Sequence, residues 1–273
     1  ISHFSGPAAV AILEAALAQE RDDAVAFKIL RGLGSLRRDA PDLPVNRALL
    51  EGAARTMIRR ALVGACFGYG LGAARRRLSH VNTTSAELLA ATLADDAERA
   101  FERLFRLMHV LEPTRSMELI FTAVRSGDPD IRARGRELFE HLAPQELRRE
   151  VTPLLDDAPL SERLSEVVLA RVAPQCALAL ALGRLCDGEP RRGPGSEPPI
   201  LAAFARALAA LCRHESPVLS AVACHYRAEL GLGSATEPEL ESLRKLGTRP
   251  LPEGVDQALA ARTSRSRERP HAR

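Results

Sequence analysis

Apolar residues three and four apart, interrupted by cap-and-proline turns, run through most of this chain. Pro7 opens a helix with Val10, Leu13 and Leu17 on one face. Asp22-Asp23 starts a second, with Val25, Ile29, Leu33 and Leu36 inward and Lys28, Arg31 and Arg38 outward, so the two form a helical hairpin. The prolines of Asp39 to Pro44 end that pattern, because they remove donors and disfavour helix just before them. A long helix follows from Asn46 to about Leu78, and its glycines (64, 68, 70 and 72) read as points of close helix contact or of bending. After a turn over 79–84, Thr84-Ser85-Ala86-Glu87 has the spacing of a capping box. It heads a helix to about Leu111 with the stripe Leu89, Leu93, Ala97, Ala100, Leu104, Phe105 and Met108.

A phrase then occurs twice. Asp128-Pro129-Asp130-Ile131-Arg132 follows the stripe Met117, Ile120, Phe121, Val124 and precedes Leu138 and Leu142. Ser216-Pro217-Val218-Leu219-Ser220 follows Phe204, Leu208, Leu211 and precedes Tyr226 and Leu230. In both, an amphipathic helix meets a cap-plus-proline and a second helix begins at once. The prolines lie 88 positions apart, twice 44, which matches the ~40–47-residue period of HEAT and armadillo helix pairs. Such units stack because none buries its apolar face alone.

Between the copies, Pro144 opens a helix that Pro153 is expected to interrupt and that ends near Asp157, and further helices are expected over 161–172 and 174–186. The Gly/Pro composition of 188–199 predicts a loop, and 237–246 a short closing helix. The expected fold is all-α: an α-solenoid of HEAT/armadillo-like helix pairs over 1–246, irregular in the middle, with a disordered basic tail over 247–273.

Composition agrees with helices. Of 273 residues, 46% are hydrophobic and only 4% aromatic, with no Trp, so Ala and Leu carry the core. The net charge of +3 is exceeded by the tail alone, where five arginines (262, 265, 267, 269, 273) face only Glu268. The remainder is close to neutral and lacks the broad basic footprint of a nucleic-acid binder. Five scattered cysteines suit reduced, buried thiols in a cytoplasmic setting. The most apolar stretch, 61–74, is too short and Gly-rich for a membrane span. The chain opens on Ile1 with neither a basic leader nor a small-residue cleavage site, and reads as part of something longer.

Several phrases carry a family resemblance. They are Pro7-x-Ala9-Val10, Asp22-Asp23-x-Val25-x-x-Lys28-x-Leu30-Arg31-x-Leu33 and Pro41-Asp42-Leu43-Pro44. Later come Arg125-Ser126-Gly127-Asp128-Pro129, Leu138, Leu147-Arg148-Arg149 and Pro153-Leu154-Leu155-Asp156-Asp157. In this order they resemble the HEAT-repeat cytosolic regions that bacterial proteins carry after a membrane domain of the major-facilitator or ATP/ADP-translocase-like class. The similarity covers roughly 7–232 and is tightest over 101–157. It implies an interaction or regulatory module at the inner face of a membrane, with the membrane part upstream of Ile1. Some members add a cyclic-nucleotide-binding domain, which this chain is not expected to contain.

Candidate chemistry is sparse. Cys212, His214, Cys224 and His225 are metal-ligand types, but their spacing matches no common zinc site, and no metal or cofactor is expected. Gly68-Tyr69-Gly70-Leu71-Gly72 follows no strand and lacks the Lys-Ser/Thr of a phosphate loop. Asp95-Asp96 and Asp156-Asp157 read as a solvated helix face or terminus. Two arginine triplets remain as candidate binding residues. Arg75, Arg76 and Arg77 suit acidic phospholipid or nucleic-acid phosphates, or simply a helix C-terminus and its dipole. Arg132, Arg134 and Arg136 suit an acidic partner peptide, or helical pairing with Glu137 and Glu140; spacing does not choose.

The reading that follows is a non-catalytic interaction or regulatory module. Its partner is expected to be a protein or an upstream membrane domain of the same polypeptide, with the basic tail available to an anionic membrane surface. A nucleic-acid-facing repeat of the DNA-glycosylase kind is the alternative, and the near-neutral body counts against it. A helical-repeat lyase or a chaperone for a chromophore comes last.

Overall fold

Every regular element described in this computed structural model is a helix. The structure describes residues 6–20, 22–113, 117–164, 174–188 and 197–232. The elements are α1 (Pro7–Gln19), α2 (Asp23–Asp39), α3 (Arg47–Arg77), a 3-10 turn (Ser79–Val81), α4 (Thr84–Leu111), α5 (Met117–Val124), α6 (Pro129–Leu142), α7 (Gln145–Leu155), α8 (Leu160–Arg163), α9 (Pro174–Gly188), α10 (Glu197–Leu211) and α11 (Pro217–Glu229). No described helix is long and apolar enough to cross a membrane. The expected helix over 237–246 and the basic tail lie outside the described residues, as does most of the expected loop over 188–199. At the end of that loop a helix already begins at Glu197, with Pro198 and Pro199 in its first turn, where a missing N–H costs nothing. Of the helix expected over 161–172, only the single turn of α8 is described.

The chain forms two compact units, Ile1–Leu62 with Asp96–Ala173, and Val63–Asp95 with Pro174–Arg273. In the first, α1 and α2 make the expected hairpin. Asp22 caps α2, its carboxylate accepting from Ala24 N–H at 2.8 Å and Val25 N–H at 3.2 Å, worth ~1 kcal/mol. The buried stripe of α2 is Leu30, Leu33, Gly34 and Arg37, rotated from the expected one, and Val25 is exposed. The rotation follows from Asp23 and Arg37, which both turn toward the unit. Asp23 binds Arg60 of α3 (2.9 and 3.0 Å) and Arg103 of α4, and Arg60 also binds Asp96. Arg37 donates from Nε to the Val110 carbonyl at 3.1 Å and from Nη1 to those of Leu43 (2.6 Å) and Pro41. One buried guanidinium thus fastens the Pro41–Pro44 break onto α4.

The α5–α6 hairpin closes over this frame. Asp128 caps α6 through Asp130 N–H at 2.8 Å, with Pro129 in the first turn. Gly135 lets α6 approach α5: a Cβ there would lie 2.8 Å from that of Ala123 and 2.9 Å from the Val124 nitrogen. Phe139 reaches Phe105 at 5.8 Å between centroids, and Phe105 in turn meets Phe101 (5.1 Å) and Phe121 (5.4 Å). These tilted pairs each add ~1 kcal/mol beyond burial. Leu138, an apolar position of the second helix's pattern, is exposed, because Gly135 and Phe139 take the inward face.

In the second unit, the later part of α3 packs on α9. The Gly70 backbone comes so near α9 that a Cβ would overlap the Ala179 carbonyl, and the Tyr69 ring occupies the space beside Gly183. Of the glycines expected to serve contact or bending, Gly70 meets α9 in this way, whereas a Cβ at Gly68 would stand in open space. α11 is buried almost all round, from Leu219 to Cys224 and at Tyr226, and its cap is Ser216, accepting from Leu219 N–H at 3.4 Å. Tyr226 stands edge-on to Phe204, 5.9 Å between centroids, and donates its hydroxyl to the Val81 carbonyl. The capping residue of α4 is Thr83, one position before the expected Thr84. Its hydroxyl oxygen accepts from Ala86 N–H (3.4 Å) and donates to Glu229 (3.0 Å).

Candidate functional site

The surface with most unspent chemistry in the first unit is the corner between α6 and α7. Steps of about 100° per residue place Ile131, Arg134, Leu138 and His141 in one strip along α6. Ile131 is 45% exposed and Leu138 48%, and both basic residues are exposed. Asp130, Glu137 and Glu140 follow on the adjoining strip, also exposed. α7 continues through Pro153, the expected point of interruption, and its buried residues Leu147, Val151 and Leu155 turn Arg148, Arg149, Thr152 and Pro153 outward. With Glu140 and His141 these line an open groove of about 520 Å³.

The groove's charges are largely uncommitted. Arg148 is pinned by one bond, from Nη2 to the Ala143 carbonyl at 2.9 Å, while its buried Nε has no hydrogen-bond partner. Arg149 and His141 make no ion pair among the described residues. Elsewhere in this unit most arginines already hold a carboxylate: Arg38 with Glu118, Arg47 with Glu51 and Glu112, Arg55 with Glu150, Arg125 with Glu98.

The arginine triplets fare unequally. Arg132 donates to the carbonyls of Ser126 (2.8 Å) and Gly127 (3.0 Å) and pairs with Asp157 at 3.4 Å. Arg136 pairs with Asp157 at 3.1 Å and Asp156 at 3.9 Å. These two therefore fix the turn after α7, and their carboxylates are Asp156 and Asp157, not Glu137 and Glu140. Only Arg134 stays exposed with no ion pair among the described residues. The triplet of the second unit is similarly occupied. Arg77 donates to the Cys186 carbonyl at the end of α9 (2.5 and 2.9 Å), Arg75 to Asn82 (2.9 Å), and Arg76 pairs weakly with Asp187 at 3.9 Å.

The remaining reactive groups are built into packing. Asp96, expected on a solvated helix face or terminus, is a mostly buried partner of Arg60. Burial pushes the Asp23 carboxyl up, but hydrogen bonds from Arg60 and Arg103 outweigh it and hold the group at about 2. Burial likewise opposes the Arg60 charge, and its bonds to Asp23 and Asp96 overcome that. The Cys176 thiol is raised by a hydrogen bond with the Cys66 thiol and by burial, the opposite of what a nucleophilic cysteine needs. Cys212 and Cys224 are buried, Cys224 facing the Cys212 carbonyl at 4.0 Å, and the His214 ring accepts from Ser216 N–H. Among the described residues no three His, Cys, Asp or Glu side chains are grouped to hold a metal ion.

Of this corner, sequence spacing singles out only the arginine triplet. A signal for the rest is present: Ile131, Arg134, Leu138 and His141 recur at three- and four-residue steps, but Leu138 makes that periodicity resemble a core face. Comparison with protein-family models, with curated proteins and with solved structures found no match.

Proposed function

We propose that this chain is a non-catalytic helical-repeat binding module whose docking face is the α6–α7 corner. The observation that carries the reading is the strip of two half-exposed aliphatics and two exposed bases, running into a groove whose Arg149 and His141 have no carboxylate partner among the described residues. Apolar anchors ringed by polar groups are the make-up of a protein interaction site. The duplicated cap-and-proline hairpin, α5–α6 and α10–α11, supports a stacked HEAT-like array. The cytosolic, transporter-linked setting rests on the phrase resemblance, which gives the expected partner: a membrane protein of the same polypeptide or complex.

The test is site-specific photo-cross-linking in the native cell, with the photoreactive residue at Leu138, at Arg134, or at exposed Ile12 as control. A single protein adduct should form from the first two positions only. That protein, purified separately, should bind the chain in calorimetry and lose at least tenfold in affinity with Leu138→Asp. Equal adducts at all three positions, or unchanged affinity in the variant, overturns the assignment.

A further inference from the structure

The two copies of the repeated phrase have different fates, and the difference says what covers the first. With Pro129 set against Pro217, Ile131 corresponds to Leu219, Arg134 to Val222, Gly135 to Ala223, Leu138 to Tyr226 and His141 to Glu229. In the preceding helices, Ile120 corresponds to Leu208 and Val124 to Cys212, and all four are buried. The hairpins therefore share an inner face. On the second helix they diverge. Leu219, Val222 and Tyr226 are 1–3% exposed, sealed within their own unit, and Glu229 accepts the Thr83 hydroxyl at 3.0 Å. The same strip on α6 is open. Where α11 meets its own unit with three apolar residues and one acid, α6 offers two apolar residues and two bases.

We infer that the Ile131–Arg134–Leu138–His141 strip and the adjoining groove are the seat of an acidic amphipathic helix from a protein partner. The inference rests on the binding-module reading above and names its ligand. A covering helix needs apolar residues at three- or four-residue steps to seal Ile131 and Leu138. It needs carboxylates beside them to meet Arg134 and His141, whose places in the sealed copy are held by Val222 and Glu229. Within the groove the balance runs the same way, with Arg148, Arg149 and His141 against Glu140. The acids Asp130, Glu137 and Glu140 along the adjoining strip would repel a misplaced acidic helix, and so fix its position over the bases.

The experiment is selection of an unbiased display library of helical peptides on the full chain. Counter-selection uses Leu138→Asp, with folding of that variant confirmed by an unchanged circular dichroism melt. Enriched peptides should carry Asp or Glu flanking an apolar stripe. The consensus peptide, labelled for fluorescence polarisation, should weaken at least tenfold with Leu138→Asp and with Arg134→Glu/Arg149→Glu. In the charge-reversed double variant, a Lys-for-Glu version of the peptide should bind better than the original. Enrichment of basic or uncharged peptides that still depend on Leu138 overturns the acidic ligand while leaving the docking face standing. A library in which nothing depends on Leu138 overturns both. A dimer in light scattering that dissociates with Leu138→Asp overturns the partner in favour of a second copy.

Discussion

Replacing Asp23 with Ala isolates the ion network that joins α2, α3 and α4. Among the described residues Asp23 is the only carboxylate bound to Arg103, whose side chain is 7% exposed, whereas Arg60 keeps Asp96 when Asp23 is gone. Removing one partner of a buried pair costs ~3–5 kcal/mol, because the other charge is left without compensation. Asp23 itself is 40% exposed, so water recovers part of that, and we expect a loss of about 2 kcal/mol. The acid titration gives an independent figure. A carboxyl held at about 2 against an ordinary 3.8 corresponds to ~2.5 kcal/mol before screening and to roughly 1–2 after it. Because the folded value lies below the unfolded one, this contribution is complete above pH ~4 and disappears as pH falls through about 2. Urea unfolding followed by circular dichroism is the assay, since the chain has no Trp. Asp23→Ala should be less stable than the parent at pH 7 and converge with it near pH 2. Arg103→Met added to Asp23→Ala should restore at least ~1 kcal/mol, since the stranded charge is then gone. A single variant within ~0.5 kcal/mol of the parent, or two acid curves that fall in parallel, would refute the argument.

Three further outcomes follow from the second unit and from α6. Gly70→Ala should destabilise by about 3 kcal/mol, because the colliding atom is a backbone carbonyl that cannot rotate away. Gly68→Ala, two positions off in open space, should stabilise by ~0.5–1 kcal/mol through helix propensity, and paired thermal melts read both. Tyr226→Phe should cost about 1–3 kcal/mol by stranding the Val81 carbonyl. Burial pushes the Tyr226 phenol up to about 12, so its contribution is whole below pH ~10 and fades as pH rises toward 12; phenolate absorbance in a Tyr69→Phe background checks it. Arg136→Ala should lower stability by up to ~1 kcal/mol through Asp156 and Asp157, whereas Arg134→Ala should leave the melt unchanged within ~0.5 kcal/mol.

The helices and their caps are legible in the sequence because their causes are local. Asp22, Asp128 and Ser216 each announce a helix start by residue type alone, and proline after the last two removes any continuation. The rotation of each helix about its axis is less legible, because it depends on partners far along the chain. Val25 and Ile29 satisfy the same period as Leu30 and Leu33. What decides between them is that Asp23 finds Arg60 and Arg103, and Arg37 finds the carbonyl of Val110, 73 positions away. Periodicity has no access to that choice. The arginines show the same limit. Carboxylates at helical steps from them are visible in the sequence, yet Arg132 and Arg136 are claimed by Asp156 and Asp157 beyond the far end of α7.

The two cap-and-proline hairpins show where sequence does carry the answer once structure supplies the register. A position that alternates between Arg134 in one copy and Val222 in the other cannot face the same medium in both, since burying an unpaired guanidinium costs several kcal/mol. Val222 is sealed and Arg134 is not. Leu138 alone decides nothing, because an exposed leucine is common on any protein surface. It becomes informative because Tyr226, its counterpart, is among the largest fully buried side chains of the chain. The inner faces of the two hairpins are both apolar, while the outer strip of one carries Arg134 and His141. A strip that had only lost its cover would be free to become polar throughout. Ile131 and Leu138 standing beside Arg134 and His141 are what a face covered by another molecule requires.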